Sequence, residues 1–148
     1  MLNAINRAIS SSVAIELDYT TRSSEEPRAY LIQPEALVVY EGSIYIAGYR
    51  ADIPDQTDPR SRALHFFKMD RVSRAKPTSR CFDKREESVS SLLSDSITLY
   101  RSIAAPRRYR IRVSPERVKW ACEKPFHPGQ KVRVQADGSA ILDIERAW

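Results

Sequence analysis

A succession of short β-prone segments, separated by turn signals, most constrains the fold of this chain of 148 residues. Residues 13–19 alternate apolar and polar side chains, which predicts a half-buried strand. Residues 28–33 predict a second strand that ends at Pro34, because proline has no N–H to give to a strand ladder. Residues 37–40 and 44–49 flank a short glycine-containing turn and predict a hairpin.

A fifth strand and a leading helix complete the first part of the chain. Residues 64–69 predict the strand, with residues 72–75 as its extension beyond a bend. Residues 2–10 have apolar side chains spaced by three or four, which is typical of a short amphipathic helix. No segment before residue 80 resembles a crossover helix between parallel strands. We therefore expect a closed or nearly closed five-stranded antiparallel barrel preceded by a helix.

The second part of the chain has a different pattern. Residues 83–105 are serine-rich with one short helical segment, and they predict a linker. A strand over residues 107–113, a helix over residues 116–123 and a hairpin within residues 131–145 predict a β-α-β-β subdomain. Such a piece leaves one sheet face half covered, so we expect the natural domain to continue beyond Trp148. The expected organisation is a barrel over 1–82, a linker over 83–105 and an α+β subdomain over 106–148.

Charge is unevenly distributed along the chain, whose net charge is +5. Residues 1–59 contain four Arg and nine Asp or Glu, whereas residues 60–148 contain twenty basic and ten acidic residues. This asymmetry indicates an anionic partner for the second part, such as a phosphate, a nucleotide, a nucleic acid or an acidic protein surface. The alternative interpretation is a solvated basic face without a partner.

Several classes of protein are excluded by composition and motifs. No apolar run approaches the ~20 residues of a membrane helix, and the first seven residues lack the apolar core of a signal peptide. Cys81 and Cys122 are too few for a disulfide framework, so we expect a cytoplasmic protein whose cysteines are small buried thiols. These cysteines, with His65 and His127, have no close metal-ligand spacing. Nucleophile-elbow, zincin, P-loop and dinucleotide-binding motifs are absent, so we expect no enzyme, catalytic residue, metal or cofactor, and His127 is expected to be a turn residue.

Cations and aromatic residues alternate along the predicted barrel strands, which is the composition of a groove for a phosphate and a stacked base. The candidates for ligand binding are Arg28, Tyr45, Tyr49, His65, Lys68 and Arg71, with Tyr19 as a further stacking ring. Strand alternation places His65 and Lys68 on opposite faces, so both reach one pocket only if the strand bends. The alternative is that Tyr45, Phe66 and Phe67 belong to the core and that Arg71 makes a structural ion pair.

A second cationic pattern lies in the predicted strand over residues 107–113. Arg108, Arg110 and Arg112 alternate with apolar side chains, so one strand face is basic. This stripe predicts a nucleic-acid surface or a second wall of the ligand site. It is equally typical of an outer sheet face exposed to solvent.

Four short segments of the first part form a set that occurs together in a known family. Ala8-Ile9 precedes a strand that ends in Tyr19, and Arg28 precedes Pro34. Ile44-Tyr45-Ile46 lies in the predicted hairpin, and residues 67–72 are Phe-Lys-Met-Asp-Arg-Val. On these motifs, residues 4–72 resemble the WYL domain of bacterial transcription regulators. Ile44-Tyr45-Ile46 occupies the Trp-Tyr-Leu position that names the family, and residues 67–72 are similar to its Phe-Arg-Leu-Asp-Arg-Ile segment.

The second part contains two further motifs, Phe126-His127-Pro128-Gly129-Gln130 and Asp137-Gly138. On these motifs, residues 107–148 resemble the first part of the C-terminal extension called WCX, which often follows a WYL domain. Two departures from the family pattern concern the ligand preference: Ile44 replaces Trp, and His65 stands where many relatives carry Arg.

The resemblance implies an Sm-like or SH3-like barrel that senses a nucleotide or a single-stranded nucleic acid. Members usually follow a winged helix-turn-helix and act as dimers. No helix-turn-helix precedes residue 1, so we expect a DNA-binding domain or protein to be supplied elsewhere. The main hypothesis is a ligand-sensing regulatory domain of a transcription regulator that forms a homodimer. The alternatives are a stand-alone Sm-like nucleic-acid-binding module and a protein–protein interaction module.

Overall fold

The computed structural model describes residues 1–54, 57–94, 96, 98–99 and 106–147, apart from the side chain of residue 146. The chain divides into two compact units, Met1–Val89 and Ser90–Trp148. Both units contain antiparallel sheets and short helices, so the predicted mainly β fold is confirmed. The division lies within the segment 83–105 that was predicted to be a linker.

The first unit contains one five-stranded antiparallel sheet and short helices. The elements in chain order are α1 (Leu2–Ser10), β1 (Val13–Tyr19), β2 (Arg28–Tyr40), β3 (Ser43–Arg50), α2 (Pro59–Arg62), β4 (Leu64–Lys68), β5 (Val72–Cys81) and α3 (Val89–Ser94), of which α3 continues into the second unit. The order of the strands in the sheet is β4-β3-β2-β1-β5. A 3-10 helix of one turn, Met69–Arg71, joins β4 to β5.

Two strand predictions are wrong. Pro34 does not end β2, which continues to Tyr40 through a register shift between Pro34 and Ala36. An irregularity in the ladder tolerates a residue without an N–H, which explains why the strand survives the proline. Val72–Cys81 is a separate strand that pairs with β1, because the 3-10 turn redirects the chain after β4.

The sheet is curled, but its hydrogen-bonded order is open. Among the described strands, β4 and β5 are the two edges, and no pairing joins them. The rings of Tyr19 in β1 and Tyr30 in β2 nevertheless lie 5.2 and 5.5 Å from the ring of Phe67 in β4, between strands that are not neighbours. The described pairings thus form no closed barrel, and the Sm-like or SH3-like detail stays a prediction.

The core of the first unit lies between α1 and the inner face of the sheet. Ile5 and Ala8, which are spaced by one helical turn, are buried together with alternate residues of β1 such as Ile15 and Leu17. Ile46 of β3 is also fully buried. Each buried aliphatic side chain contributes about 1.5–3 kcal/mol, so the helix is held by burial.

The second unit has the predicted β-α-β-β order. Its elements are β6 (Arg107–Val113), α4 (Pro115–Glu123), β7 (Gln130–Val134) and β8 (Ala140–Ala147). The three strands form an antiparallel sheet with the order β6-β8-β7. Gly138, at φ +80°, permits the turn between β7 and β8.

Both cysteines differ from expectation, because Cys81 and Cys122 are exposed rather than buried. His127, in contrast, is a buried turn residue whose Nδ1 accepts a hydrogen bond from the backbone N–H of Gly129. Within the described part of the chain, no helix has the length and apolar character needed to cross a membrane.

Candidate ligand site and cationic sheet face

The pairing register assigns each candidate residue of the first unit to one face of the sheet. Residues directly paired in an antiparallel sheet project to the same face. Tyr19 pairs with Arg28, and the buried Leu17 pairs with Tyr30. On the other side of the sheet, Gly48 pairs with His65. These side chains share the inner face with the core.

The remaining candidates in the strands lie on the outer face. Tyr45 pairs with Lys68, and Tyr49 pairs with Leu64. The Lys68 ammonium also forms an ion pair with Asp70 at 3.3 Å. The inference that Lys68 and His65 face opposite sides is therefore confirmed, and the six predicted ligand residues do not share one surface.

Tyr49 is covered by the chain itself. Its side chain is only 4% exposed, and the Arg85 guanidinium carbon lies 3.8 Å from its ring centroid. The Glu35 carboxylate accepts a hydrogen bond from the backbone N–H of Arg85. The pKa of Glu35 is nevertheless raised, because its burial outweighs the nearby positive charge of Lys84. The segment after β5 therefore lies over this part of the outer face and leaves little ring surface for a base.

Arg71 lies in the 3-10 turn between β4 and β5. Its carbonyl oxygen accepts a hydrogen bond from the N–H of Thr20 at 3.0 Å. Neither Arg71 nor Arg28 forms an ion pair with any residue that the structure describes. The structural ion pair that was considered for Arg71 is thus not found in the described residues, and no described carboxylate competes with an anion for either arginine.

An aromatic group forms the floor of the inner face at this end of the sheet. Tyr19 and Phe67 are 8% and 5% exposed, and their rings meet edge to face. Tyr30 contacts both rings in edge-on arrangements. The His65 ring lies 6.3 Å from the Phe67 ring. This packing gives a rigid aromatic surface that is half open to solvent at Tyr30 and His65.

Cationic and polar groups surround this floor. The Arg50 guanidinium lies 5.0 Å from the Tyr30 ring and forms two hydrogen bonds with Asp52, which raise the pKa of Arg50. His65 Nε2 donates to the carbonyl oxygen of Arg60 at 2.8 Å, since a carbonyl only accepts. In the neutral imidazole, Nδ1 is then an acceptor. We call the group Tyr19, Arg28, Tyr30, Arg50, His65 and Phe67 the inner-face cluster.

Two members of the inner-face cluster, Tyr30 and Arg50, were not among the predicted ligand residues. Tyr30 follows Arg28 by two residues on the same strand face, which is a signal the sequence contains. Arg50 has no comparable signal, because its contact with Tyr30 depends on how β2 and β3 pair. Gly48 is the β3 residue that pairs with His65, and the β2 backbone at Gln33 and Pro34 occupies the space that a Cβ at this position would need.

In the second unit, one sheet face is cationic. Arg110 of β6 and Lys131 of β7 both pair with Asp143 of the central strand, so all three project to one face. Strand alternation adds two further arginines of β6 and one of β7. We call this surface the cationic sheet face; its basic residues are Arg108, Arg110, Arg112, Lys131 and Arg133.

Asp143 is the centre of this face. Its carboxylate is 6% exposed and lies 2.5 Å from Arg108, 3.5 Å from Arg110 and 3.0 Å from Arg133. The hydrogen bond from Arg108 and the surrounding arginines lower the pKa of Asp143 to about 2. The predicted stripe of three arginines is therefore brought together on one face, and sequence reasoning missed the two basic residues that β7 adds.

Comparison with known proteins identifies the first part of the chain. The model of the WYL domain matches residues 1–77. No curated protein matches the chain. Among solved structures, the chain is similar to proteasome accessory factor B/C (PafBC) of Arthrobacter aurescens, with 16% sequence identity and a TM-score of 0.48. That match covers 98% of this chain but only 20% of the other, and at this level nothing about function follows from it.

Residues 107–148 lie outside the matched range, so their likeness to the WCX extension stays a prediction. The WYL model covers more than half of the residues, including α1 and strands β1 to β4. The chain therefore belongs to the WYL-domain family.

Proposed function

We propose that this chain is the ligand-sensing regulatory part of a bacterial transcription regulator and that it binds a nucleotide or a single-stranded nucleic acid. Membership in the WYL-domain family supports the regulatory role. The inner-face cluster is the observation that supports the ligand class, because it combines exposed aromatic surface with cations.

Each part of the cluster suits one part of a nucleotide. A base that stacks on a protein ring gains about 1–3 kcal/mol, and Tyr30 offers a half-exposed ring for this purpose. Arg28 lies two residues away on the same face and has no carboxylate partner among the described residues, so its planar fork of donors is available for phosphate oxygens. In the neutral imidazole, His65 Nδ1 offers an acceptor for an amino or hydroxyl group of the ligand.

The wider proposal includes the partners and the setting. Binding is read out by a DNA-binding helix-turn-helix domain or protein supplied elsewhere, in a cytoplasmic homodimer with no catalytic step. The curled sheet, with edges joined by a one-turn helix, supports an Sm-like or SH3-like description of the first unit. Arg71, which lies in that turn without an ion pair to a described residue, remains in the proposed site.

Calorimetric titration with mononucleotides and short single-stranded oligonucleotides tests the proposal. Loss of a charged hydrogen bond costs about 1.5–3 kcal/mol, so Arg28→Ala is expected to weaken binding by about 10- to 100-fold. Lys68→Ala is the matched control, because it removes the same charge from the outer face of the same sheet, and its affinity is expected to stay within about twofold.

The outcomes separate the candidate functions. Tight, saturable binding of a mononucleotide supports a small-ligand sensor, and affinity that rises with oligonucleotide length supports a single-strand sensor. If Lys68→Ala weakens binding as much as Arg28→Ala does, the inner-face cluster is not the site. If neither ligand binds the parent chain, the proposal fails in favour of a protein–protein interaction module.

A further inference from the structure

We propose that the cationic sheet face of the second unit binds the phosphodiester backbone of a single-stranded nucleic acid, independently of base sequence. This inference does not depend on which ligand occupies the first unit. It rests on the placement of charge in the second unit, on the exposure of the basic side chains and on the spacing of the three strands.

The excess positive charge of the chain belongs to the second unit. Residues 1–89 contain thirteen basic and thirteen acidic residues, whereas residues 90–148 contain eleven basic and six acidic residues. The change from a net negative to a net positive charge near residue 60 therefore lies before the boundary of the two units at residues 89 and 90. Five of those eleven basic residues lie on the cationic sheet face, so the charge is concentrated on one surface.

The basic side chains of this face are available to a ligand. Their exposed fractions range from 55% for Arg108 to 68% for Lys131. Two of them form pairs with exposed carboxylates, Arg112 with Asp137 at 2.6 Å and Lys131 with Glu145 at 2.7 Å. Exposed pairs of this kind contribute little to stability, so a phosphate group displaces the carboxylate at low cost.

The remaining three arginines share a single carboxylate. Arg108, Arg110 and Arg133 all lie within 3.5 Å of Asp143, which leaves two positive charges uncompensated in this group. Asp143 also restricts where these guanidinium groups lie, because Arg108 and Arg133 are hydrogen-bonded to it at 2.5–3.0 Å. The face thus presents positive charges in a defined arrangement before any ligand arrives.

The arrangement is linear. Alternate residues of a strand are about 6.6 Å apart, so the three arginines of β6 form a row of about 13 Å. Lys131 and Arg133 of β7 form a second row, about 10 Å from the first because β8 lies between them. Two parallel rows of cations across a shallow sheet suit one extended backbone that carries a negative charge at every nucleotide.

The composition of the face favours reading of charge over reading of bases. Its described residues on β8 include Ile141, Asp143 and Glu145, and no aromatic side chain of the described residues lies on it. Without a ring for stacking, binding comes from phosphate contacts, which carry no sequence information. An acidic protein would also be attracted to this charge, but a face that binds only such a protein would not bind an oligonucleotide at low salt.

Fluorescence anisotropy of the whole chain with a labelled single strand of about 12 nucleotides tests the inference. For four or five phosphate contacts, raising the salt from about 50 to 200 mM is expected to weaken binding by about 50- to 130-fold. The double variant Arg110→Gln/Arg133→Gln removes two contacts and keeps the Arg108–Asp143 pair. Its slope of log affinity against log salt is expected to be smaller by about 1.4.

Lys119→Gln/Lys124→Gln is the matched control, since it removes the same net charge from exposed positions at α4 and its C-terminal end. Its salt slope is expected to equal that of the parent chain. Equal reductions in both double variants would overturn the inference in favour of diffuse attraction. Absence of oligonucleotide binding at low salt would also overturn the inference and would favour an acidic protein as the partner of this face. Repeating the comparison in the Arg28→Ala background separates this face from the inner-face cluster.

Discussion

Gly48 is the position at which the smallest change should have a measurable effect on the first unit. A Cβ atom at this position would lie 2.6 Å from the carbonyl oxygen of Gln33 and 3.1 Å from the Cα of Pro34. Both neighbours belong to the backbone of β2, so neither can rotate away as a side chain can. Overpacking of this kind costs about 1–3 kcal/mol. Alanine recovers about 0.4–1 kcal/mol by restricting the unfolded chain. We therefore expect Gly48→Ala to destabilise the first unit by about 1–2 kcal/mol.

Thermal unfolding followed by circular dichroism measures this effect. In a domain of this size, 1 kcal/mol corresponds to about 4–8 °C, so the Tm of the first unit should fall by about 5–15 °C. Gly129→Ala is the control substitution, because its nearest contact is a side-chain atom of His127 at 3.3 Å rather than the backbone of a paired strand. An unchanged or higher Tm for Gly48→Ala would refute the close approach of β2 and β3 at this position.

Three further predictions follow from packing and charge. Phe67→Ala should destabilise the first unit by about 3–5 kcal/mol, whereas Val39→Ala, at a side chain that is 74% exposed, should change the free energy of unfolding by about 0.5 kcal/mol or less; urea denaturation measures both, and equal effects would contradict the assigned core. Because the folded pKa of Asp143 is about 2, below its ordinary 3.8, its stabilising effect is complete above about pH 4 and is lost as the pH falls towards 2. Asp143→Asn should therefore reduce the loss of stability between about pH 4 and 2, and an acid-unfolding profile identical to that of the parent would contradict this. Arg85→Ala should cost about 0.5–1 kcal/mol through loss of its contact with Tyr49, and an unchanged urea midpoint would show that this contact is not stabilising.

Local patterns were sufficient to predict many of the elements. The alternation over Val13–Tyr19 and the spacing of Ile5 and Ala8 are properties of neighbouring residues, and both the strand and the helix lie where those patterns place them. The continuation of β2 through Pro34 was not predictable from neighbouring residues. Its strand continues because β3 pairs on both sides of an irregularity, which depends on residues distant in the chain.

The candidate site shows the same division. Alternation along β4 was enough to place His65 and Lys68 on opposite faces, and it also predicted the row of arginines in β6. No local pattern could bring Tyr30 of β2 against Phe67 of β4, because that contact needs a sheet curled across several strands.

By itself, the order of residues determined the periodicities, the turns, the excess of basic groups and the family of the first part, since all of these are read from neighbouring positions. Only the tertiary structure decided which side chains meet. It placed Arg50 over Tyr30, covered Tyr49 with Arg85 and gathered three arginines around Asp143. Strand register and sheet curvature determine these contacts, and both result from packing between segments far apart in the chain.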